Sequence, residues 1–122
     1  MSVRRDVATV LLYDDDDDVR RFLSELLKSN GYMVPEASGA VAASRILEES
    51  VAVDLLIVDY AVPGINGLEI IRQVGHRRPG LKILLITGDA SAVCNAAVGV
   101  PLLRKPLGPA EFSQIVAEIL AG

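Results

Sequence analysis

Short, continuous runs of apolar residues recur along this chain, and a stretch with a helical pattern follows each of them. Apolar runs without polar interruption are typical of strands that a parallel sheet buries on both faces. The runs predict strands at residues 8–13, 32–37, 54–59, 82–87 and 102–104. Pro35 lies inside the second of these strands and has no N–H to donate, so we expect this strand at an edge of the sheet.

The stretches between the strands carry apolar residues at the spacing of an amphipathic helix. The first helix follows the aspartates at 14–18, and Gly31 is suited to the left-handed cap that ends it. Further helices are predicted at residues 38–50, 68–74, 89–98 and from 108 onward. Ser38 is expected to cap the second helix, and Pro109 suits the first turn of the last. The positions expected to face the core are Val19, Phe22, Leu23, Leu26 and Leu27 in the first helix, Val41, Ile46 and Leu47 in the second, and Phe112, Ile115, Val116, Ile119 and Leu120 in the last.

Strands that alternate with helices in this way predict one α/β domain over residues 1–122, with helices on both faces of a parallel sheet. A chain of this length can bury a hydrophobic core without disulfides or structural metals. Residues 1–7 are largely polar, and we expect them to be flexible.

The composition narrows the class of function. Hydrophobic residues make up 51% of the chain and the formal net charge is −4, which indicates a globular protein and disfavours unaided binding to nucleic acid. The single cysteine excludes an internal disulfide and a cysteine-based zinc site. No apolar stretch approaches the roughly 18 residues of a membrane helix, and the first residues lack the apolar core of a secretory signal. We therefore expect a cytoplasmic protein without membrane contact.

Polar residues that suit phosphate chemistry end four of the predicted strands: Asp14 and Asp15, Asp59, Thr87 and Lys105. In a parallel α/β sheet the carboxyl ends of the strands lie at one edge, where ligands bind. Three carboxylates that meet there need a cation, and oxygen ligands in an open site favour Mg²⁺. Asp59 is suited to attack phosphorus, while Thr87 and Lys105 are suited to bind phosphoryl oxygens.

The aspartate run 14–18 is divided by this reasoning. Its first two members close a strand and face the predicted cation. Asp16, Asp17 and Asp18 begin the first helix, where acids cap free N–H groups and complement the helix dipole. We assign no chemistry to these three residues.

Five segments of the chain resemble the receiver domain of two-component response regulators, both in their order and in their separations along the sequence. They are residues 10–16, 54–59, 63–69, 85–88 and 104–106. The resemblance covers almost the whole chain and implies a flavodoxin-like fold, with a five-stranded sheet in the order 2-1-3-4-5 and five helices. Residues 100–106 are similar to the same segment in receivers attached to hybrid sensor kinases.

The resemblance also implies a function. Asp59 would accept a phosphoryl group from a phosphohistidine on a sensor histidine kinase or a histidine phosphotransfer domain. The domain would act as a switch with slow autodephosphorylation, not as a turnover enzyme. Mg²⁺ would be held by Asp14, Asp15, Asp59 and the backbone carbonyl of Ala61, with Asp15 and Asp59 as the direct carboxylate ligands. Thr87 and Lys105 would complete the site, and a cis bond would join Lys105 to Pro106.

The chain departs from the usual receiver pattern at Leu102, where a Tyr or Phe normally precedes the lysine by three residues. The aromatic-switch mechanism is therefore not carried over. Three alternatives stay open. A phosphate-ester hydrolase with an aspartyl intermediate usually has a second acid where Ala61 stands. A flavin-binding electron carrier needs a phosphate loop where the aspartates would repel phosphate. A degenerate receiver would serve as a phosphorylation-independent docking module. The downstream protein and the oligomeric state are not readable from the sequence.

Overall fold

The computed structural model describes residues 7–49, 52–59, 72, 77–88 and 101–122. Within them the chain forms a five-stranded sheet in the order β2-β1-β3-β4-β5, and every neighbouring pair of strands is parallel. The strands are β1 (Val10–Tyr13), β2 (Glu36–Ala37), β3 (Leu55–Asp59), β4 (Lys82–Thr87) and β5 (Leu102–Arg104). The predicted fold class and strand order are therefore confirmed.

The central strands are buried on both faces, as their continuous apolar runs predict. Every residue of β1 and β3 is buried. Successive side chains of a strand point to opposite sides of the sheet. Leu11 and Tyr13 accordingly belong to the hydrophobic cluster on one face, while Val10 and Leu12 belong to the cluster on the other.

Helices cover both faces of the sheet. In the described part of the chain they are α1 (Asp17–Ser29), α2 (Ala40–Glu48) and α3 (Pro109–Ala121). α1 and α3 contribute to one hydrophobic cluster and α2 to the other. The helices predicted at 68–74 and 89–98 lie outside the described residues, except for Arg72, which is helical. None of the described helices has both the length and the hydropathy that crossing a bilayer requires.

The end of α1 follows the prediction made for Gly31. The N–H of Gly31 donates to the carbonyl of Lys28 at 3.0 Å, and the N–H of Tyr32 donates to the carbonyl of Leu27 at 3.3 Å. These two bonds define a Schellman motif, in which the residue directly after the C-cap, here Gly31, adopts a left-handed backbone conformation. Gly31 has a φ of +94°, so the predicted glycine cap is confirmed.

Two residues predicted to face the core are exposed instead. Phe22 in α1 is 47% exposed and Val41 in α2 is 74% exposed. α1 buries Leu23 and Leu27, whereas α2 buries Ala43. The sheet contacts only part of the circumference of each helix, so residues at the margin of an apolar stripe remain in contact with solvent.

Two boundaries also differ from the prediction. Gly39 is the N-cap of α2 in place of Ser38, and no side chain caps this end of the helix. β2 comprises only Glu36–Ala37, although a strand over 32–37 was expected. Pro35 explains the shortening, because a residue without an N–H cannot continue the ladder. β2 does lie at an edge of the sheet, as this proline predicts.

Candidate functional site

The carboxyl ends of four strands bring the predicted site residues to one edge of the sheet. Asp59 is the last residue of β3, and Thr87 is the last residue of the neighbouring β4. Asp14 follows β1 on the other side of β3, and Lys105 follows β5. Because these strands are adjacent and parallel, their ends lie side by side.

Three carboxylates at this edge are close enough to share one cation. Asp14, Asp15 and Asp59 each offer a carboxylate oxygen, and these oxygens lie within 4.8 Å of one another. Asp14 is 1% exposed and Asp59 is 5% exposed, while Asp15 is open to solvent. Oxygen donors grouped in this way suit a hard divalent cation.

The hydrogen bonding of Asp14 supports a metal at this position. Its Oδ1 accepts from the N–H of Asp16 at 2.9 Å. Its Oδ2 is buried and has no hydrogen-bond partner among the described residues. A buried carboxylate oxygen without a partner is costly unless a cation or an ordered water satisfies it. The acidic cluster therefore fits a metal ion.

The charge of Asp14 is poorly compensated when no metal is bound. Burial raises the pKa of Asp14 to about 6, and the nearby charge of Asp59 adds to the rise. The N–H of Asp16 and the charge of Lys105 act in the opposite direction but do not cancel it. A divalent cation would favour the ionised form of this carboxyl group.

Lys105 supplies the positive charge of the site. Its Nζ donates to Oδ2 of Asp59 at 3.0 Å. Burial alone lowers the pKa of Lys105, but the hydrogen bond and charge of Asp59 and the charges of Asp14 and Asp16 outweigh burial and raise it. The ammonium therefore stays protonated at neutral pH. The bond between Lys105 and Pro106 is cis, which confirms the expectation drawn from the resemblance.

Thr87 is held beside these charged groups. It is buried at the end of β4, and its carbonyl accepts from the N–H of Lys105 at 2.8 Å. This bond ties the end of β4 to the residue that contacts Asp59. Ala61, whose carbonyl is a predicted metal ligand, lies outside the described residues.

Comparison with known proteins decides the family. Residues 10–117 match the response regulator receiver domain. The chain belongs to this family. The response regulator receiver protein CpdR of Brucella abortus is 38% identical over 112 residues, which is 90% of this chain and 92% of that protein.

Other relatives carry the receiver as part of a longer protein. The sensor kinase CckA of Brucella abortus is 32% identical over 93% of this chain, which spans only 12% of that kinase. The crystal structure of the receiver domain from the hybrid histidine kinase CckA matches with a TM-score of 0.80 and 30% identity, covering 93% of this chain and 99% of that one. This receiver is therefore similar both to a protein that it matches over almost the whole length and to a domain within a much longer kinase.

Membership in this family defines the class of function. The chain is a signalling module of two-component systems, in which receiver domains act as phosphoacceptors. The flavin carrier and the phosphate-ester hydrolase are thereby set aside. No comparison supports the degenerate receiver.

The last three aspartates of the run are engaged with α1 in this receiver, as predicted. Oδ1 of Asp16 accepts from the N–H groups of Asp18 and Val19 at 3.0 and 3.1 Å. Asp17 pairs with Arg20 at 2.6 Å. Oδ1 of Asp18 lies 3.7 Å from a guanidinium nitrogen of Arg21, three residues further along the helix. Asp16, Asp17 and Asp18 are all exposed.

Two residues near the site were not identified from the sequence. Tyr13 was expected only as a core residue, yet its hydroxyl is buried without a partner among the described residues. Burial and the charges of Asp15 and Asp59 raise the pKa of this phenol, so it is protonated at neutral pH. Arg20 was given no role from the sequence, but its guanidinium donates to the carbonyl of Asp14 at 2.7 Å. No sequence pattern predicts that second contact.

Proposed function

We propose that Asp59 is the residue that accepts the phosphoryl group, and that the donor is a phosphohistidine on a sensor histidine kinase or a histidine phosphotransfer domain. A carboxylate oxygen of Asp59 attacks phosphorus and forms a P–O bond. The P–N bond of the donor breaks, and the imidazole nitrogen keeps the electron pair. The setting of Asp59 carries the proposal, since it lies within 4.8 Å of two further carboxylates and 3.0 Å from an ammonium.

Asp14, Asp15 and Asp59, with the carbonyl of Ala61, are the proposed ligands of Mg²⁺. Oδ2 of Asp14 is buried without a hydrogen-bond partner among the described residues, and this observation and the spacing of the carboxylate oxygens support the assignment. Bound Mg²⁺ would offset the negative charge of the carboxylates and of the incoming phosphoryl oxygens. Asp59 would then accept a dianionic group with less charge repulsion.

Lys105 and Thr87 are proposed to bind the transferred group. Before transfer, the ammonium of Lys105 holds Oδ2 of Asp59. After transfer, it would pair with a phosphoryl oxygen, because the new group adds roughly two negative charges at this position. The hydroxyl of Thr87 would donate to another phosphoryl oxygen. A shift of this residue would alter the end of β4 and bias a surface that already has two states.

The biological setting follows from this chemistry. We propose that residues 1–122 form one receiver domain that works in the cytoplasm, as a switch and not as a turnover enzyme. Its acyl phosphate would be lost by slow autodephosphorylation. The likeness to a region of a sensor kinase supports a histidine kinase as the source of phosphate. The domain needs no direct contact with nucleic acid or membrane in this role, and Leu102 indicates a switch without the usual aromatic side chain.

A direct test uses phosphoramidate as donor, because its P–N bond resembles that of phosphohistidine. With Mg²⁺ present, we expect intact-protein mass spectrometry to detect one added phosphoryl group on the wild type and none on Asp59→Asn. The matched control is Asp54→Asn, at the opposite end of β3, where the carboxylate accepts from the N–H of Thr9 at 2.8 Å. This control should be labelled like the wild type.

Two results would count against the proposal. Normal labelling of Asp59→Asn would show that another residue accepts the phosphoryl group. A folded wild type that binds Mg²⁺ but stays unlabelled would support the degenerate receiver, which docks without phosphorylation.

A further inference from the structure

We propose that Arg20 is a positioning residue of the metal site, because its guanidinium holds the main chain at Asp14 and so determines where the carboxylates of Asp14 and Asp15 stand. This inference rests on the proposed Mg²⁺ site. It assigns a role in cation binding to a residue whose side chain lies on α1 and contributes no oxygen ligand.

The contact that carries the inference is made with the backbone. Nη1 of Arg20 donates to the carbonyl oxygen of Asp14 at 2.7 Å. The ladder between β1 and β2 has ended at this point, because the N–H of Asp14 makes its last bond, to the carbonyl of Ala37, at 3.1 Å, and β2 stops at that residue. Arg20 therefore supplies a donor just beyond the end of the two-strand ladder.

The guanidinium is itself held on two sides. Nη2 pairs with Oδ1 of Asp17 at 2.6 Å, and Nε lies 3.3 Å from Oε1 of Glu36 on β2. The carboxylate of Glu36 is also held in place, because its Oε2 accepts a hydrogen bond from the hydroxyl of Ser24 at 2.8 Å. The side chain of Arg20 is only 16% exposed. A planar guanidinium that contacts three acceptor oxygens in different directions has far less conformational freedom than the side chains of an exposed ion pair.

This arrangement joins the turn that carries two metal ligands to both flanking elements. Through Arg20, the carbonyl of Asp14 is connected to the first turn of α1 and to the edge strand β2. Metal affinity depends on the placement of the ligands, and residues that orient ligands typically affect it by about 10–100-fold.

The charge of Arg20 acts against this role and allows the two effects to be separated. A guanidinium near the site repels a divalent cation, so loss of its charge alone should strengthen Mg²⁺ binding. Loss of the three guanidinium contacts should weaken it. Arg20→Lys keeps the charge but provides a single ammonium, which cannot reproduce three contacts in different directions. This variant therefore tests position and not charge.

The experiment measures Mg²⁺ binding to the protein of residues 1–122 by isothermal titration calorimetry, with Mg²⁺ as the only ligand. We expect Arg20→Lys to bind about tenfold more weakly than the wild type. The matched control is Arg21→Lys, on the adjacent position of α1, where the side chain is exposed and pairs only loosely with Asp18 at 3.7 Å. This control should bind Mg²⁺ like the wild type.

A second readout needs no metal. In the metal-free protein we expect the amide of Asp16, which donates to Oδ1 of Asp14, to exchange its hydrogen faster in Arg20→Lys than in Arg21→Lys. A general loss of stability would instead accelerate exchange across the sheet. Rapid exchange confined to this turn, together with weaker Mg²⁺ binding, would support the positioning role.

The outcomes separate this inference from the proposed function. Wild-type Mg²⁺ affinity in Arg20→Lys would overturn the role of Arg20 while leaving the phosphoacceptor role of Asp59 intact. Equal weakening in Arg20→Lys and Arg21→Lys would also overturn it, since only a general loss of stability would then be involved. A wild type that binds no Mg²⁺ would remove the metal site and the role of Arg20 together.

Discussion

The aspartate run 14–18 has a first half, Asp14 and Asp15, and a second half, Asp16 to Asp18, and its two end residues have opposite surroundings. Asp14 is 1% exposed and carries an oxygen without a partner among the described residues. The side chain of Asp18 is 94% exposed. Asp14 lies near the carboxylate of Asp59 and the ammonium of Lys105, which come from distant parts of the chain. In the part of the chain that the structure describes, Asp18 pairs with Arg21 of its own helix.

The difference shows how neighbours in space assign roles to identical residues. The first half of the run ends a buried strand whose parallel neighbours also end there. The second half begins a helix, where free N–H groups attract acids whatever the rest of the fold does. We therefore expect substitutions in the first half to change metal binding and substitutions in the second half to change helix stability.

The largest effect is expected from Asp14→Asn, which keeps the acceptor for the N–H of Asp16 but removes the charge. Mg²⁺ affinity should fall by at least about tenfold. Without metal, the variant should be more stable than the wild type at pH 7, by at most about 3 kcal/mol. Burial raises the pKa of Asp14 to about 6, so its ionisation opposes folding.

The pH dependence of this difference has a definite sign. The folded metal-free protein holds the proton of Asp14 more tightly than the unfolded chain does. The stability difference between Asp14→Asn and the wild type should therefore be near zero below about pH 4 and grow until about pH 6. Urea titrations with EDTA across this range measure it. A variant less stable than the wild type at pH 7 would contradict the prediction.

Added Mg²⁺ should narrow the stability difference between the two proteins. At a concentration of one hundred times its dissociation constant, a ligand stabilises a protein by about 2.7 kcal/mol. The wild type gains this stabilisation, while Asp14→Asn gains much less at the same concentration. Equal stabilisation of both proteins would show that Asp14 does not contribute to the cation site.

A smaller effect is expected from Asp16→Ala. The side chain of Asp16 accepts from two N–H groups at the start of α1, and loss of such a cap typically costs about 1 kcal/mol. Mg²⁺ affinity should be unchanged, because the backbone N–H that donates to Asp14 remains in place. Chemical denaturation and calorimetry measure the two quantities. A large loss of Mg²⁺ affinity would show that Asp16 contributes to the metal site as well as to the helix start.

The smallest effect is expected from Asp18→Asn. Its pairing with Arg21 is long, at 3.7 Å, and both side chains are largely exposed. Exposed pairs of this kind contribute little, so the free energy of unfolding should change by less than about 0.5 kcal/mol. Labelling by phosphoramidate should not change. Impaired labelling would place Asp18 in the site after all.

Much of the fold was predictable because continuous apolar runs have few stable solutions in water. The bounds of β4 and β5 agree with the prediction. β4 begins and ends with the polar residues Lys82 and Thr87, and β5 lies between Pro101 and Lys105. The helix faces were predicted less well. Phe22 and Val41 belong to apolar stripes but remain exposed, because the width of the surface that each helix covers depends on how the helix sits on the sheet.

The site was predictable to the extent that the topology brings strand ends together. The strand-end rule identified Asp14, Asp59, Thr87 and Lys105 before any geometry was known. The contact between Arg20 and the carbonyl of Asp14 was not predictable. Helical spacing indicates a pairing with Asp17, but it cannot show that the same guanidinium reaches a backbone oxygen beyond the end of β1.

The sequence by itself determined where the strands form, which functional residues follow them, and that the chain belongs to the receiver family. These features depend on local hydrophobic pattern and on motifs that any parallel α/β sheet brings to one edge. Only the tertiary structure decided which aspartates leave water and which stay in it, and that Arg20 spans α1, β1 and β2. Burial and hydrogen-bond geometry depend on the packing of segments distant in sequence, and that packing exists only in the folded chain.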